Sequence, residues 1–196
     1  STRMKKKIIQ ATELVEIRLN KFIANAGICS RRDADQLILS GKITVNDQVV
    51  QVLGTKIMPT DKIAYLKKII QSEKLQYVLL NKPKDFITTT QDPQNRRTVM
   101  TLIEKACVER IYPVGRLDRH TTGLLLFTND GDLAKRLTHP KYKIKKIYQI
   151  ELDKPIIEAH YNEITTGVHL EDGLASVDHL AILTDDRKRL GIEIHI

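Results

Sequence analysis

The 196-residue sequence predicts an α+β protein: a small α/β module over residues 15–70, then a mixed, mostly antiparallel sheet domain with flanking helices over residues 76–196. Apolar residues recur at helical spacing only in short stretches, and in the first 66 residues these precede an alternating hairpin pattern. Beyond residue 76, short apolar runs bounded by Gly or Pro dominate, with few long helical patterns. Charge divides the chain as well. Residues 1–75 carry fourteen Lys and Arg against seven Asp and Glu, residues 76–146 the same, and residues 147–196 four against ten. The net charge of +8 and its concentration in the first three-quarters point to a polyanion partner. Charge alone leaves RNA, DNA and a merely solvated surface open.

In the first module, Leu19, Phe22, Ile23 and Ala26 fall on one helical face, and Gly27 marks its end. Ser30 is placed to cap a second helix over residues 31–39, which Gly41 ends. Residues 42–50 alternate around Asn46 and Asp47, a hairpin signal. Lys21, Arg31, Arg32 and Lys42 read either as a row of phosphate contacts on a rigid helix pair or as solubilising charge. Aromatic residues are few and Trp is absent, so recognition by shape and phosphate is expected over stacking of successive bases. Residues 67–75 read as a flexible polar connection.

Residues 77–80 form a short apolar strand that runs into Asn81-Lys-Pro-Lys84, where Pro83 turns the chain out of the sheet. Residues 88–98 are polar and hold Arg96 and Arg97, a plain surface loop or an RNA-clasping element. Runs 111–114 and 124–128 read as strands that flank a loop holding Arg116, Asp118 and Gly123. Asp118 then sits on a scaffold-held loop within reach of a ligand, its charge favoured by Arg116 and Arg119. Residues 130–139 read as a helix ended by Pro140. Lys141, Lys143, Lys145 and Lys146 follow, then a strand over 147–152 that puts Tyr148 on one face with Ile150 and Leu152. From that pattern alone Tyr148 is a core aromatic. Residues 155–166 read as a helix with Pro155 in its first turn and Gly167 at its end. Residues 168–183 read as a hairpin turning near Asp172 and Gly173, and residues 191–196 as a half-buried strand.

No apolar run approaches the length of a membrane span, and residues 1–7 lack the apolar core of a secretion signal. Cys29 and Cys107 have no metal-ligand spacing and are expected to be reduced, buried thiols in a cytosolic protein.

The string from Gly115-Arg-Leu-Asp118 through Gly123-Leu-Leu-Leu-Phe-Thr-Asn-Asp-Gly131 resembles the signature of the ribosomal-RNA pseudouridine synthases, in the branch that modifies single uridines of small- or large-subunit rRNA. Asn81-Lys-Pro-Lys84 and Lys145-Lys-Ile-Tyr148 extend the resemblance at the family's order and spacing. Residues 18–27, 30–34 and 41–46 resemble the S4 RNA-binding domain. The resemblance implies that Asp118 is the catalytic residue and that the ring of Tyr148 packs against the target nucleotide. It also implies that Arg116 fills the space left by the extruded uridine, although the residues alone equally allow Arg116 as a structural partner for Asp118. The implied substrate is ribosomal RNA, with the residues 124–131 variant closer to large-subunit enzymes. No cofactor, metal, membrane or protein partner is implied, and a monomer is expected. Related enzymes continue beyond a strand like residues 191–196 into a basic segment, so the catalytic domain is expected to be truncated. A non-catalytic S4-type RNA-binding factor would need the first module but not the central string. A glycosidic hydrolase would need a second carboxylate beside Asp118, and none is singled out.

Overall fold

The computed structural model describes residues 15–195, so the expectation for residues 1–7 lies outside the described residues. By backbone contacts the chain divides into two units that interleave in sequence. The first takes the described residues up to Val78 with Met100–Tyr112 and Phe127–Asn129; the second takes Leu79–Val99, Pro113–Leu126 and the described residues from Asp130 onward.

The first unit begins with β1 (Ile17–Arg18), α1 (Leu19–Asn25) and α2 (Arg31–Leu39). Ser30 caps α2 as expected, its hydroxyl accepting from the Asp33 N–H at 3.1 Å. The strands β2 (Ile43–Val45), β3 (Gln48–Val49), β4 (Lys56–Ile57), β5 (Ile63–Tyr65) and β6 (Lys68–Ile69) follow. Antiparallel pairing orders four of them β3-β2-β5-β6, and β1 pairs with β4. Leu19 and Ile23 of α1, Ala34 and Ile38 of α2, and Ile43, Ile57 and Ile63 of the strands form one buried core.

Part of the predicted connection is structured. Leu66 and Lys67 both take left-handed backbone (φ 48° and 67°) and turn the chain into β6. The Glu73 N–H then donates to the Asn25 carbonyl at 2.8 Å, fastening this stretch to the end of α1.

Beyond it come β7 (Tyr77–Lys82), α3 (Met100–Ile103), β8 (Tyr112–Val114) and β9 (Gly123–Thr128). They are followed by α4 (Gly131–Thr138), a 3-10 turn (Pro140–Tyr142), β10 (Lys145–Glu151) and α5 (Glu158–Thr166). The last strands are β11 (Val168–Leu170), β12 (Gly173–Ala175), β13 (His179–Ile182) and β14 (Arg189–His195). Sheet orders are β7-β9-β8, β10-β14-β13 and β11-β12, the last two antiparallel throughout. The end of the central string has a mechanical explanation. Thr128 donates to the Gln76 carbonyl at 2.6 Å, and Asn129 accepts from the Gln76 N–H and donates to the Lys74 carbonyl. Asp130 then caps α4 through the Leu133 N–H.

Two local expectations are corrected, and one element is added. Pro155 lies ahead of α5, because Ile156 is drawn extended into a core with Leu180 and Leu190, its N–H bonded to the Arg187 carbonyl. The run after Gly173 is two strands: β12 pairs only with β11, whereas β13 joins β14 and buries Leu180. The short α3 carries Ile103, four residues from the buried Val99, a signal too brief for periodicity to register. Among the described residues no helix is long and apolar enough to cross a membrane. Cys29 and Cys107 form no disulfide and are half-buried, the Cys107 thiol donating to the Glu109 carbonyl at 3.6 Å, and burial pushes the Cys29 thiol up.

Candidate active site on the 115–122 loop

The loop joining β8 to β9 begins and ends on glycines with positive φ, 78° at Gly115 and 136° at Gly123. An added Cβ would meet nothing within 4 Å at either position, so it is backbone conformation that requires glycine there. Between them Asp118 is exposed, and the backbone on both sides of it is fastened. Lys82, at the end of β7, is fully buried and spends its three ammonium donors on carbonyls: Thr121 at 2.8 Å, Pro83 at 2.9 Å and Arg119 at 3.2 Å. The Arg119 carbonyl also accepts from the Asp85 N–H at 2.9 Å, and the Asp118 carbonyl from the Thr121 N–H at 3.0 Å. On the other side, the buried Thr88 hydroxyl donates to the Leu117 carbonyl (2.8 Å) and accepts from the Leu117 N–H (3.2 Å). Burial pushes the Lys82 ammonium pKa down, and the Asp85 and Asp118 carboxylates oppose that.

These supports carry no role in the sequence reading. Lys82 was detectable in principle. On period two, Val78, Leu80 and Lys82 share the covered side of β7 while Tyr77, Leu79 and Asn81 are exposed, so a lysine falls where an apolar residue belongs. Among the described residues no ion pair joins Asp118 to Arg116 or Arg119. Arg119 Nε instead lies 3.8 Å from Asp85, which His120 also approaches at 3.8 Å.

The loop helps line a cleft of about 1080 Å³, with Arg116, Leu117 and His120 among its lining residues, which also include Lys146, Tyr148 and Arg189. Tyr148 lies opposite Ile192 in the β10–β14 register and is half-buried, at the cleft end of a row that continues toward Leu190 in the core. It thus shares the predicted face with Ile150 and Leu152, but it lines the cleft. Arg116 and Tyr148 therefore both line one cavity, and Asp118 sits on the loop that helps line it. Lys21, Arg31, Arg32 and Lys42 belong to the first unit. Arg31 and Arg32 open α2 exposed, Lys42 is exposed just ahead of β2, and Lys21 is half-buried on α1. Among the described residues no three or more His, Cys, Asp or Glu come together as a metal site would require.

The loop holds one exposed carboxylate, Asp118, on a pre-fastened backbone, and the adjoining cleft is lined by an arginine, an aromatic ring and the Glu151 carboxylate of β10. Comparison with known proteins assigns the family. The pattern of the RNA pseudouridylate synthases matches residues 76–190, and that of the S4 domain residues 17–63. A protein of Aquifex aeolicus named as an uncharacterized RNA pseudouridine synthase is 40% identical, over 92% of this chain and 73% of its own length. The ribosomal large subunit pseudouridine synthase B of Bacillus subtilis is 41% identical, over 88% of this chain and 70% of its own. A solved structure described as a pseudouridylate synthase superposes with a TM-score of 0.57 at 26% identity, covering 91% of this chain and 76% of that one. The fold around the Asp118 loop and the sequence that builds it thus lead to one conclusion: this chain belongs to the RNA pseudouridylate synthase family.

Proposed function

We propose that this enzyme converts a uridine of large-subunit ribosomal RNA to pseudouridine, with the Asp118 carboxylate as its catalytic group. In this reading residues 15–70 anchor the RNA and residues 76–196 perform the chemistry. The observation that carries it is the Asp118 loop itself: an exposed carboxylate whose flanking backbone is fixed by the buried Lys82 ammonium and by Thr88. The large-subunit target is supported by the name of the B. subtilis relative.

The reaction breaks the N1–C1′ bond of uridine and forms a C5–C1′ bond after the base turns. C5 loses a proton and N1 gains one, so there is no net redox change and no group from outside. One carboxylate beside the ribose meets the need, by attack on C1′ or by removal of the 2′ proton. In either course its charge also stabilises the positive charge that develops at C1′. Fixing the backbone on both sides of Asp118 aims that carboxylate before the substrate arrives. The uridine must first leave its stack, at a cost on the order of a few kcal/mol. Arg116, at the rim of the cleft, fills the vacated space, and the Tyr148 ring packs against the base.

The test is Asp118→Asn. The amide is nearly isosteric and the side chain exposed, so the thermal midpoint and the affinity for an unmodified large-subunit rRNA transcript should match the wild type. No pseudouridine should form. Pseudouridine at the wild-type rate would remove Asp118 from the chemistry.

A further inference from the structure

Residues 88–98 make a closed loop whose two cations have different environments. Its base is joined by the Ile87 N–H to the Arg97 carbonyl (2.9 Å) and by the Val99 N–H to the Ile87 carbonyl (3.0 Å), with Val99 fully buried. Inside the loop the Asp92 carboxylate accepts from the Arg96 N–H (2.7 Å), Arg96 Nε (2.9 Å), Arg96 Nη2 (3.2 Å) and the Gln94 N–H (3.2 Å). The Asp92 side chain is only 2% exposed, and the bonds from Arg96 hold its pKa down at about 2. The charge of Arg96 is therefore consumed in shaping the loop. Arg97 is exposed, has no carboxylate partner among the described residues, and lies with its guanidinium carbon 5.0 Å from the centroid of the Phe86 ring.

We infer that Arg97, seated on Phe86, binds an RNA backbone phosphate flanking the nucleotide that Asp118 serves. The inference rests on the function proposed above. A guanidinium over an aromatic face is held in place by attraction to the ring, and its N–H edge remains open to a phosphate, which it fits as a fork. Its distance from the chemistry is fixed by bonded neighbours. Arg97 bonds to Ile87, the next residue is Thr88, and the Thr88 hydroxyl holds Leu117, which precedes Asp118. No flexible tether intervenes, so a phosphate gripped at Arg97 holds the RNA backbone beside the Asp118 loop. The Asp92–Arg96 clasp keeps the loop closed before RNA arrives and reduces the ordering cost of binding.

The experiment compares Arg97→Ala, Arg97→Lys and Phe86→Leu with the wild type on an unmodified large-subunit rRNA transcript. It reads KM and kcat for pseudouridine formation, the salt dependence of RNA affinity, and the thermal midpoint. Arg97→Ala should raise KM about tenfold or more with kcat nearly unchanged, as expected for one charge-assisted contact. Its salt slope should be shallower by about 0.9, the share of one phosphate. Arg97→Lys should recover the slope but only part of the KM, because the ammonium lacks the fork. Phe86→Leu should fall between wild type and Arg97→Ala. A wild-type slope for Arg97→Ala, at an unchanged thermal midpoint, would overturn the contact whether or not pseudouridine forms. Failure of the wild-type protein to form pseudouridine on any rRNA would instead overturn the parent reading and leave the slope to decide Arg97.

Discussion

Residues 115–122 and residues 30–32 both present charge to solvent, but their backbones are held by different means. The first is a loop without regular structure of its own. Its main chain is tied through Leu117, Arg119 and Thr121 to a buried ammonium, a buried hydroxyl and the Asp85 N–H, and the Asp118 carbonyl accepts from the Thr121 N–H within the loop. The second is the start of α2, with Ser30 as its cap and Arg31 and Arg32 projecting from the first turn. The difference fits the roles proposed for each. A carboxylate that acts on a ribose carbon must be placed to a fraction of an ångström, which a fixed backbone favours. A phosphate contact tolerates the reach of a long side chain and gains its strength from counterion release. Changes in the loop should therefore reach turnover, and changes on the helix affinity.

The largest effect is expected from Lys82→Met. Methionine keeps the length and apolar bulk but removes the Lys82 donor from the Thr121 and Pro83 carbonyls and leaves the Arg119 carbonyl with the Asp85 N–H alone. The cost is about 1–3 kcal/mol for each unsatisfied carbonyl that water does not reach. The 115–122 loop should loosen, the thermal midpoint should drop, and pseudouridine formation should fall by about a hundredfold or more. Binding of the rRNA transcript through the first unit should change little. Turnover within a few-fold of wild type would mean that Thr88 and Asp85 alone hold Asp118 in place.

Gly123→Ala tests the same loop more gently. The added methyl meets no atom within 4 Å, but φ of 136° is backbone that side chains rarely adopt. The strain is worth about 1–3 kcal/mol, or about 2–4 °C in thermal midpoint per kcal/mol for a chain of this size. If the loop relaxes to relieve it, kcat should fall about tenfold at constant KM. A stability loss with kcat intact would show that the strain is absorbed at β9 and never reaches Asp118.

This contrast also explains what was legible in the sequence. The strands around Asp118 were, since two apolar runs bounded by Pro and Gly are local signals. The cap at Ser30 and the Asn46–Asp47 hairpin were legible for the same reason, because their residue types have a mechanism at short range. The supports of the loop were legible only at Lys82, whose place on the covered side of β7 marks it as unusual without showing what it holds. Lys82 and Thr88 act across separations of 29 to 39 residues through main-chain carbonyls, which have no residue identity to read. Arg119 shows the same limit from the other side: its guanidinium approaches the left-handed Asp85 (φ 69°) at 3.8 Å, a pairing across 34 residues that adjacency to Asp118 does not reveal. The Leu66–Lys67 turn is hidden in the sequence because neither residue advertises positive φ, and hence β6 reads there as part of a connection.

The smallest effect is expected at the other pole of the comparison, from Arg31→Glu combined with Arg32→Glu. Both side chains are exposed and neither contributes to the buried core of the first unit. Acidic residues in the first turn of a helix complement its dipole, so α2 should be as stable as before or slightly more so, by a few tenths of a kcal/mol. A loss of binding therefore cannot be assigned to unfolding. Affinity for the rRNA transcript should fall severalfold at physiological salt and by a similar factor for unrelated RNA sequences, because phosphate contacts position without reading bases. The slope of affinity against salt should be shallower by about two, one unit for each lost contact. At saturating RNA, kcat should equal the wild type, since the Asp118 loop is untouched. An unaltered slope would assign the two arginines to solubility, and a fall in kcat would mean that the helix face does more than anchor.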